Sequence, residues 1–217
     1  MNQVEDFAKE ILAQFSEELH PDLVPYFEPD GAIGAQLRHP LVYQVPFFNN
    51  GLANISYKHK QNALSKAIAE KNFSEVIYLH ERPYRLDAFS KIADDLLDTQ
   101  YWRLLSEIWI DTENQWQNLG KWKELLSSDR SSRHYLMDED EDNLLRSLPE
   151  KVTIYRGCLK GINETGLSWT LDKSKAKFFA KRFSKDGIIL EKKIPKKDIV
   201  AVLTGRGESE VIFLERG

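Results

Sequence analysis

The spacing of apolar residues changes near Pro149. Before this residue, apolar residues mostly recur every three or four positions, which predicts amphipathic helices. We expect these helices over about 4–19, 60–70, 73–82, 87–98, 100–110 and 115–127. The stretch 21–56 contains five prolines and an Asn-Asn-Gly sequence, which predicts irregular structure there.

After Pro149 the apolar segments are short, rich in β-branched and aromatic residues, and separated by glycine or proline. This composition predicts strands, and we expect five, over 152–157, 166–170, 187–194, 198–203 and 209–214. A helix is expected between the second and third strands, with Asp172 as its N-cap. Its apolar stripe consists of Ala176, Phe179, Ala180 and Phe183.

These patterns together predict an α+β protein. A mostly helical region, 1–149, is expected to precede a compact core, 150–217, in which a mixed β-sheet carries one packed helix. The helical region is a candidate lid or target-recognition part.

Two patterns in the helical region have both a functional and a structural interpretation. Trp102, Trp109 and Trp116 recur every seven residues, as in a stacking platform for bases or in a buried helix stripe, and we favour the stripe. The acidic run Asp138–Asp142 resembles a metal or partner site. Acids also favour a first helical turn, and we favour a helix start.

The composition is that of a globular protein, with 217 residues of which 41% are hydrophobic. No apolar run approaches the roughly 20 residues of a membrane-spanning helix, and the acidic N-terminus lacks the layout of a secretory signal. Cys158 is the only cysteine, so no internal disulfide can form. We therefore expect a cytoplasmic protein with no membrane partner.

The net charge of −4 conceals an asymmetry along the chain. Residues 151–217 hold 15 lysines and arginines against 8 acids, whereas residues 1–150 hold 15 against 26. A basic C-terminal part suits an anionic ligand such as a nucleotide or a nucleic acid. Attraction between two oppositely charged parts of the chain explains the asymmetry equally well.

Two stretches of the C-terminal part carry candidate binding residues. Arg156 continues an apolar strand face, where a guanidinium needs a carboxylate or a bound anion unless it reaches solvent at the strand end. Gly157 leaves room for a ligand or for another backbone. Ser168 and Thr170 share a strand face and can position a carboxylate. The alternative is helix capping by Thr170 or Asp172, with Trp169 buried.

Glu208 and Glu210 form a third stretch, after the glycine-rich sequence 204–207. On a strand, two residues with this spacing point to the same face, where like charges repel unless a cation is present. Glutamates at the start of a surface strand are common, so the pair alone is a weak signal. The order of all three stretches is more specific than any one of them.

This order resembles the R-S-E class of ADP-ribosyltransferases, the arginine-type branch that includes cholera-toxin-like and clostridial-toxin-like enzymes. The matching sequences are Tyr-Arg-Gly at 155–157, Leu-Ser-Trp-Thr at 167–170 and Glu-Ser-Glu at 208–210. The resemblance covers about the final 67 residues. The whole chain also looks like small prophage- or plasmid-borne proteins that carry this pattern after a helical region.

The resemblance implies NAD⁺ as a substrate and transfer of its ADP-ribose to a nucleophile. It implies that Glu210 is the catalytic glutamate, which stabilises the ribosyl cation. It also implies that Glu208 orients or deprotonates the acceptor. Because Glu208 stands where members with other acceptors often carry glutamine, the resemblance favours an arginine acceptor, with a nucleic-acid base as the alternative.

The resemblance also assigns the NAD⁺-binding residues. Arg156, followed by Gly157, would hold the phosphates of NAD⁺ through the planar guanidinium. Ser168, with weaker support from Thr170, would hold Glu210 in place. The C-terminal part is compact for this fold, so we expect the helical region to supply part of the cleft.

The resemblance suggests a toxin or phage-related effector, for which a neutralising partner protein would be expected. The five histidines and one cysteine show no metal-ligand spacing, so we expect no metal. A function of another class stays open from the residues alone. The chain would then be a non-catalytic interaction module whose acidic helical part docks a basic partner.

Overall fold

The computed structural model of the chain describes residues 17–182, 186–205, 207 and 209–215. Two compact units, Met1–Asp94 and Asp95–Gly217, make up the chain. Pro149, where we placed a boundary from the sequence, lies inside the second unit, just before its first strand. The helical segment 95–148 therefore belongs to the same compact unit as the C-terminal sheet.

In its described residues, 17–94, the first unit combines a small antiparallel sheet with three α-helices. Its strands, paired in chain order, are β1 (Phe27–Glu28), β2 (Gln36–His39) and β3 (Val42–Gln44). Its helices are α1 (Asn50–Ala69), α2 (Phe73–Leu79) and α3 (Arg85–Ile92). The prediction of irregular structure over 21–56 is wrong here, because Pro29 and Pro40 occupy the turns between strands and leave the strands themselves free of proline.

The Asn-Asn-Gly sequence that predicted a turn instead begins a helix. The side chain of Asn49 accepts a hydrogen bond from the backbone N–H of Leu52 at 2.8 Å, which caps α1. The core of this unit joins α1 to the small sheet and the segment before it. It consists of Leu23, Leu37, Leu41, Val42, Ala53 and Tyr57.

The second unit begins with α4 (Asp98–Asp111), α5 (Leu119–Leu126) and α6 (Glu139–Ser147). Trp102 and Trp109 are fully buried, which confirms the buried stripe for these two residues. Trp116 is 39% exposed, and for this residue the prediction is wrong. Since α4 ends at Asp111 and a short 3₁₀-helix follows at Gln115–Asn118, the seven-residue spacing loses its helical phase.

The acidic run begins α6, as predicted. Asp138 accepts a hydrogen bond from the backbone N–H of Glu141 at 2.8 Å, and the Glu141 carboxylate accepts one from the backbone N–H of Asp138 at 3.1 Å. This reciprocal pair is a capping box. The acidic first turn also lies at the positive end of the helix dipole.

Five strands form the sheet of the second unit, in the order β6-β4-β5-β8-β7. They are β4 (Lys151–Leu159), β5 (Ser168–Thr170), β6 (Gly187–Pro195), β7 (Ile199–Leu203) and β8 (Glu210–Phe213). The five predicted strands are thus confirmed. Each pairing among them is antiparallel, so the prediction of a mixed sheet is wrong. Short loops join β4 to β5 and β7 to β8, and a parallel pair would need a longer crossover.

The predicted packed helix is α7 (Lys173–Arg182), which lies against β4, β5 and β6. Asp172 caps it by accepting a hydrogen bond from the backbone N–H of Ser174 at 2.7 Å, which confirms the predicted N-cap. On the opposite face of the sheet, Val152 and Ile154 pack with leucines of the α6 segment. The sheet therefore lies between two helical layers.

Two predictions fall wholly or partly on residues that the structure does not describe. The helix expected over 4–19 lies outside the described residues except for 17–19, which are not helical. Phe183, the last member of the α7 stripe, also lies outside them, whereas Ala176 and Ala180 are buried as expected. The five other predicted helices are present, and α1 begins about ten residues earlier than predicted.

Candidate functional site

An open cavity of about 270 Å³ lies in the second unit, beside β4, β5 and β8. Its lining includes five of the six site residues predicted from the sequence: Arg156, Gly157, Ser168, Thr170 and Glu210. The sixth, Glu208, lies outside the described part of the chain. Three stretches that are separate in sequence thus meet at one cavity.

Glu210 belongs to a row of residues that crosses the sheet. Thr170 on β5 is paired with Tyr155 on β4 and with Glu210 on β8, and Glu210 is paired with Leu203 on β7. Directly opposed residues of neighbouring strands point to the same face. The half-buried Glu210 side chain therefore shares a face with Tyr155 and Thr170, and strands on both sides hold its backbone.

Arg156 is half-buried and bonds to main-chain carbonyls. Its Nε–H donates to the carbonyl oxygen of Asn163 at 3.1 Å, and its Nη1 donates to the carbonyl oxygen of Ser168. The guanidinium lies against Gly166, where an added Cβ atom would be only 2.1 Å from Nη2. Arg156 therefore ties β4 to the loop that leads into β5.

The positive charge of Arg156 lies at the cavity wall. Burial lowers the pKa of the guanidinium, and the carboxylate of Glu210, like Cys158 when it is ionised, opposes that shift. An arginine remains protonated at neutral pH despite such a shift. The cavity therefore carries a permanent cation near the Glu210 carboxylate, and further N–H donors on Nη1 and Nη2 are available to a ligand.

Gly157 admits a second backbone, one of the two explanations considered for it. A Cβ atom at this position would lie 2.0 Å from the carbonyl oxygen of Ala176 and 2.5 Å from the backbone nitrogen of Ala180. Such distances are far shorter than van der Waals contact. Gly157 therefore allows α7 to approach β4 closely at the edge of the cavity.

The two hydroxyl residues of β5 have different surroundings. Thr170 is buried, and its Oγ1 accepts a hydrogen bond from the backbone N–H of Asp172 at 3.0 Å, at the turn into α7. Ser168 is half-buried and contributes its carbonyl oxygen to Arg156. Trp169 between them is 4% exposed and belongs to the core. Helix capping and core packing thus account for Thr170 and Trp169.

Glu141 anchors the loop that precedes Glu210. Its buried carboxylate accepts hydrogen bonds from the backbone N–H and the hydroxyl of Thr204, at 2.6 and 3.2 Å. At the other end of the loop, the carbonyl oxygen of Ser209 accepts a hydrogen bond from the backbone N–H of Leu171 at 3.1 Å. Ser209 has a φ of +45°, a conformation that costs a non-glycine residue about 1–2 kcal/mol. Strain is thus stored one residue before Glu210.

Sequence reasoning missed several residues that line the cavity. Tyr155 adjoins Arg156 in the sequence, and strand alternation combined with the register to Thr170 would have identified it. Phe179 and Arg182 lie on α7 one turn apart, on the side that faces the cavity. Glu113 and Gln115 come from the connection after α4, so the helical region contributes to the cavity wall.

Comparison of the chain with protein-family models, with curated proteins and with solved structures gives no match. None of the described helices is long and apolar enough to cross a membrane. Among the residues that the structure describes, no three His, Cys, Asp or Glu side chains are grouped as metal ligands.

Proposed function

We propose that the unit 95–217 is an NAD⁺-dependent mono-ADP-ribosyltransferase. The observation that carries this proposal is the single cavity lined by Arg156 and Glu210, with Ser168 and Thr170 on the strand between them. These residues stand in the sequence order that resembles the R-S-E class. One cavity thus offers a cation that can bind the phosphates of a dinucleotide and a carboxylate that can act on its glycosidic bond.

In the proposed reaction, the bond between nicotinamide N1 and ribose C1′ of NAD⁺ breaks, and its electron pair leaves with neutral nicotinamide. The ribose carbon becomes cationic, and the carboxylate of Glu210 stabilises that charge. A well-placed group of this kind lowers the activation free energy by about 3–4 kcal/mol. A nucleophile on the acceptor then bonds to C1′, and Glu208 takes the proton that the nucleophile loses.

Arg156 is proposed to hold the diphosphate of NAD⁺ with the N–H groups that the Asn163 and Ser168 carbonyls leave available. Those two carbonyls fix the direction of the guanidinium before NAD⁺ binds, which reduces the ordering cost of binding. Glu113 and Gln115 supply the wall contributed by the helical region.

The resemblance favours an arginine side chain as the acceptor, because a glutamate occupies position 208. A nucleic-acid base is the second candidate, and the basic surface of α7 beside the cavity favours it. The sequence resemblance to prophage- and plasmid-borne proteins further supports a toxin or effector role, with a neutralising protein as partner.

Incubation of the pure protein with NAD⁺ labelled in its adenylate part and with a cell lysate tests the proposal. Label should become acid-insoluble with the natural chain and not with Glu210→Gln. Protease treatment should release the label from a protein acceptor, and nuclease treatment should release it from a nucleic acid. Equal labelling by both proteins, or none by either, would count against the proposed enzyme.

A further inference from the structure

The exposed surface of α7 is cationic. In Lys173–Arg182 five of ten residues are lysine or arginine and none is acidic. Ala176 and Ala180 are buried against the sheet, so the charged residues lie on the remaining surface. Lys177 and Lys181 are one turn apart, and like charges at this spacing destabilise a helix. Lys181 and Arg182 lie in the last turn, where the helix dipole favours cations, so the dipole offsets part of this repulsion.

Some of these charges have acidic neighbours within the chain, and Lys175 acts on the carboxylate of Asp172. Lys173 pairs with Glu191 on β6 at 3.0 Å. Lys177 and Lys181 form no ion pair with any residue in the described ranges. Two such lysines one turn apart, on a helix without acidic residues, create a positive potential that attracts a polyanion.

Phe178 lies among these lysines and is 60% exposed. Its ring contacts only the edge of Phe179 among the aromatic rings described, with centroids 5.5 Å apart and planes at 74°. A large aromatic ring is thus mostly exposed to solvent beside cationic side chains. Proteins that bind single-stranded nucleic acids combine these two features, since lysines contact phosphates and an aromatic ring stacks on an unpaired base.

The cationic surface continues into the cavity. Phe179 and Arg182, which line the cavity, lie on the same helix as the exposed Phe178 and Lys181. A strand bound along α7 would therefore reach the mouth of the cavity without a further connecting surface.

We infer that the face of α7 formed by Lys177, Phe178, Lys181 and Arg182 binds single-stranded nucleic acid. Paired bases offer no free face to Phe178, so a duplex should bind more weakly. Binding does not depend on the proposed function. If the proposed function also holds, the acceptor of ADP-ribose is a base of the bound strand and not an arginine side chain.

Fluorescence anisotropy with a labelled, mixed-sequence single strand of about 15 nucleotides tests this inference, because sites of this type span roughly 4–16 nucleotides. The measurement uses the full chain without NAD⁺, over a series of salt concentrations. The logarithm of affinity should fall linearly with the logarithm of salt, and Lys177→Gln/Lys181→Gln should lower that slope by about 1.4. Phe178→Ala should weaken binding roughly tenfold.

The matched control is Lys58→Gln/Lys123→Gln, which removes the same charge from two exposed lysines on other helices. It should bind as the natural chain does. All substituted side chains are exposed, so circular dichroism should show an unchanged fold. Absence of binding at about 50 mM salt, equal binding by Lys177→Gln/Lys181→Gln, or equal competition by duplex DNA, polyglutamate or anionic vesicles would overturn the inference. Loss of ADP-ribose transfer alone would not affect it.

Discussion

Thr170 on β5 lies directly opposite Glu210 on β8, and its hydroxyl oxygen accepts the hydrogen bond that starts the turn into α7. Thr170 therefore connects two parts of the candidate site. It is paired with Glu210 in the sheet, and it begins the turn into α7, which forms one side of the cavity. Glu210 begins its strand, whereas the residue before it, Ser209, has a strained backbone. The candidate site thus sits where a rigid sheet meets a loop.

The close approach of α7 to β4 depends on Gly157. We predict that Gly157→Ala destabilises the chain by about 1–3 kcal/mol or more, because the added methyl meets backbone atoms that cannot move independently. Urea unfolding followed by circular dichroism measures this free energy.

Gly120→Ala is the matched control, because Gly120 lies in α5 and a Cβ atom there meets no atom within 4 Å. Alanine is the better helix former, so this variant should be as stable as the natural chain or up to about 1 kcal/mol more stable. Equal destabilisation by the two substitutions would show that the contact with Ala176 is not the cause.

We predict that the role of Arg156 depends on the planar shape of its guanidinium group as well as on its charge. Lysine cannot donate to the Asn163 and Ser168 carbonyls in the same geometry, so Arg156→Lys should lose about 1 kcal/mol of unfolding free energy. It should also weaken NAD⁺ binding, measured by calorimetry, by about tenfold or more. Arg146→Lys, at a residue whose side chain is 71% exposed, should change neither quantity. Unchanged NAD⁺ affinity in Arg156→Lys would remove Arg156 from the proposed binding site.

Glu141 is predicted to position the loop before Glu210. Glu141→Gln replaces a charged acceptor of the Thr204 N–H and hydroxyl, and should cost about 1–2 kcal/mol of stability. Hydrogen exchange at the backbone amide of Thr204 should accelerate more than exchange in β4. Glu139→Gln, at an exposed residue of the same first helical turn, controls for the helix-dipole effect. A uniform acceleration across the sheet would instead mean that Glu141 only stabilises the whole unit.

The first unit should lose stability as the pH falls through the range in which an unfolded histidine titrates. Burial lowers the pKa of His39, an effect that Asp22 opposes and His80 reinforces. The Nδ1 atom of His39 accepts a hydrogen bond from the backbone N–H of Leu41 at 3.0 Å, and a protonated ring cannot accept it. The folded state therefore binds this proton less readily than the unfolded state does.

Because the unfolded chain gains protons first, the free energy of unfolding should decrease from pH 6.5, the ordinary histidine pKa, downward and be constant above it. Denaturant unfolding at several pH values measures this slope. His39→Gln, which keeps an acceptor for Leu41, should reduce the slope. An identical pH profile for the natural chain and His39→Gln would exclude His39 as the cause.

Local chemistry predicted much of the C-terminal sheet. Its strands are rich in β-branched residues and bounded by glycine and proline, and the caps at Asp138 and Asp172 involve residues close in sequence. The three short strands of the first unit were missed because they have two to four residues each and a proline in each intervening turn. Strand order was not predictable either, since it depends on contacts between distant segments.

The candidate site was predictable only as a set of residue types. The pattern Arg156, Ser168, Glu210 indicated a shared cavity, and the structure brings these residues to one. The pattern did not show that main-chain carbonyls would bind the Arg156 guanidinium, because the loop 160–167 has no regular structure to anticipate. The contributions of Glu113 and Gln115 depend on how α4 packs within the unit, which no local pattern records.

The central claim is that Glu210 acts on the glycosidic bond of NAD⁺ in this cavity. Chromatographic measurement of nicotinamide release from NAD⁺ by the pure chain tests it most directly, with Glu210→Gln as the test and Glu139→Gln as the control. We predict measurable release by the natural chain and by Glu139→Gln, and a rate at least about a hundredfold lower for Glu210→Gln. Release by Glu210→Gln at the rate of the natural chain would contradict the claim.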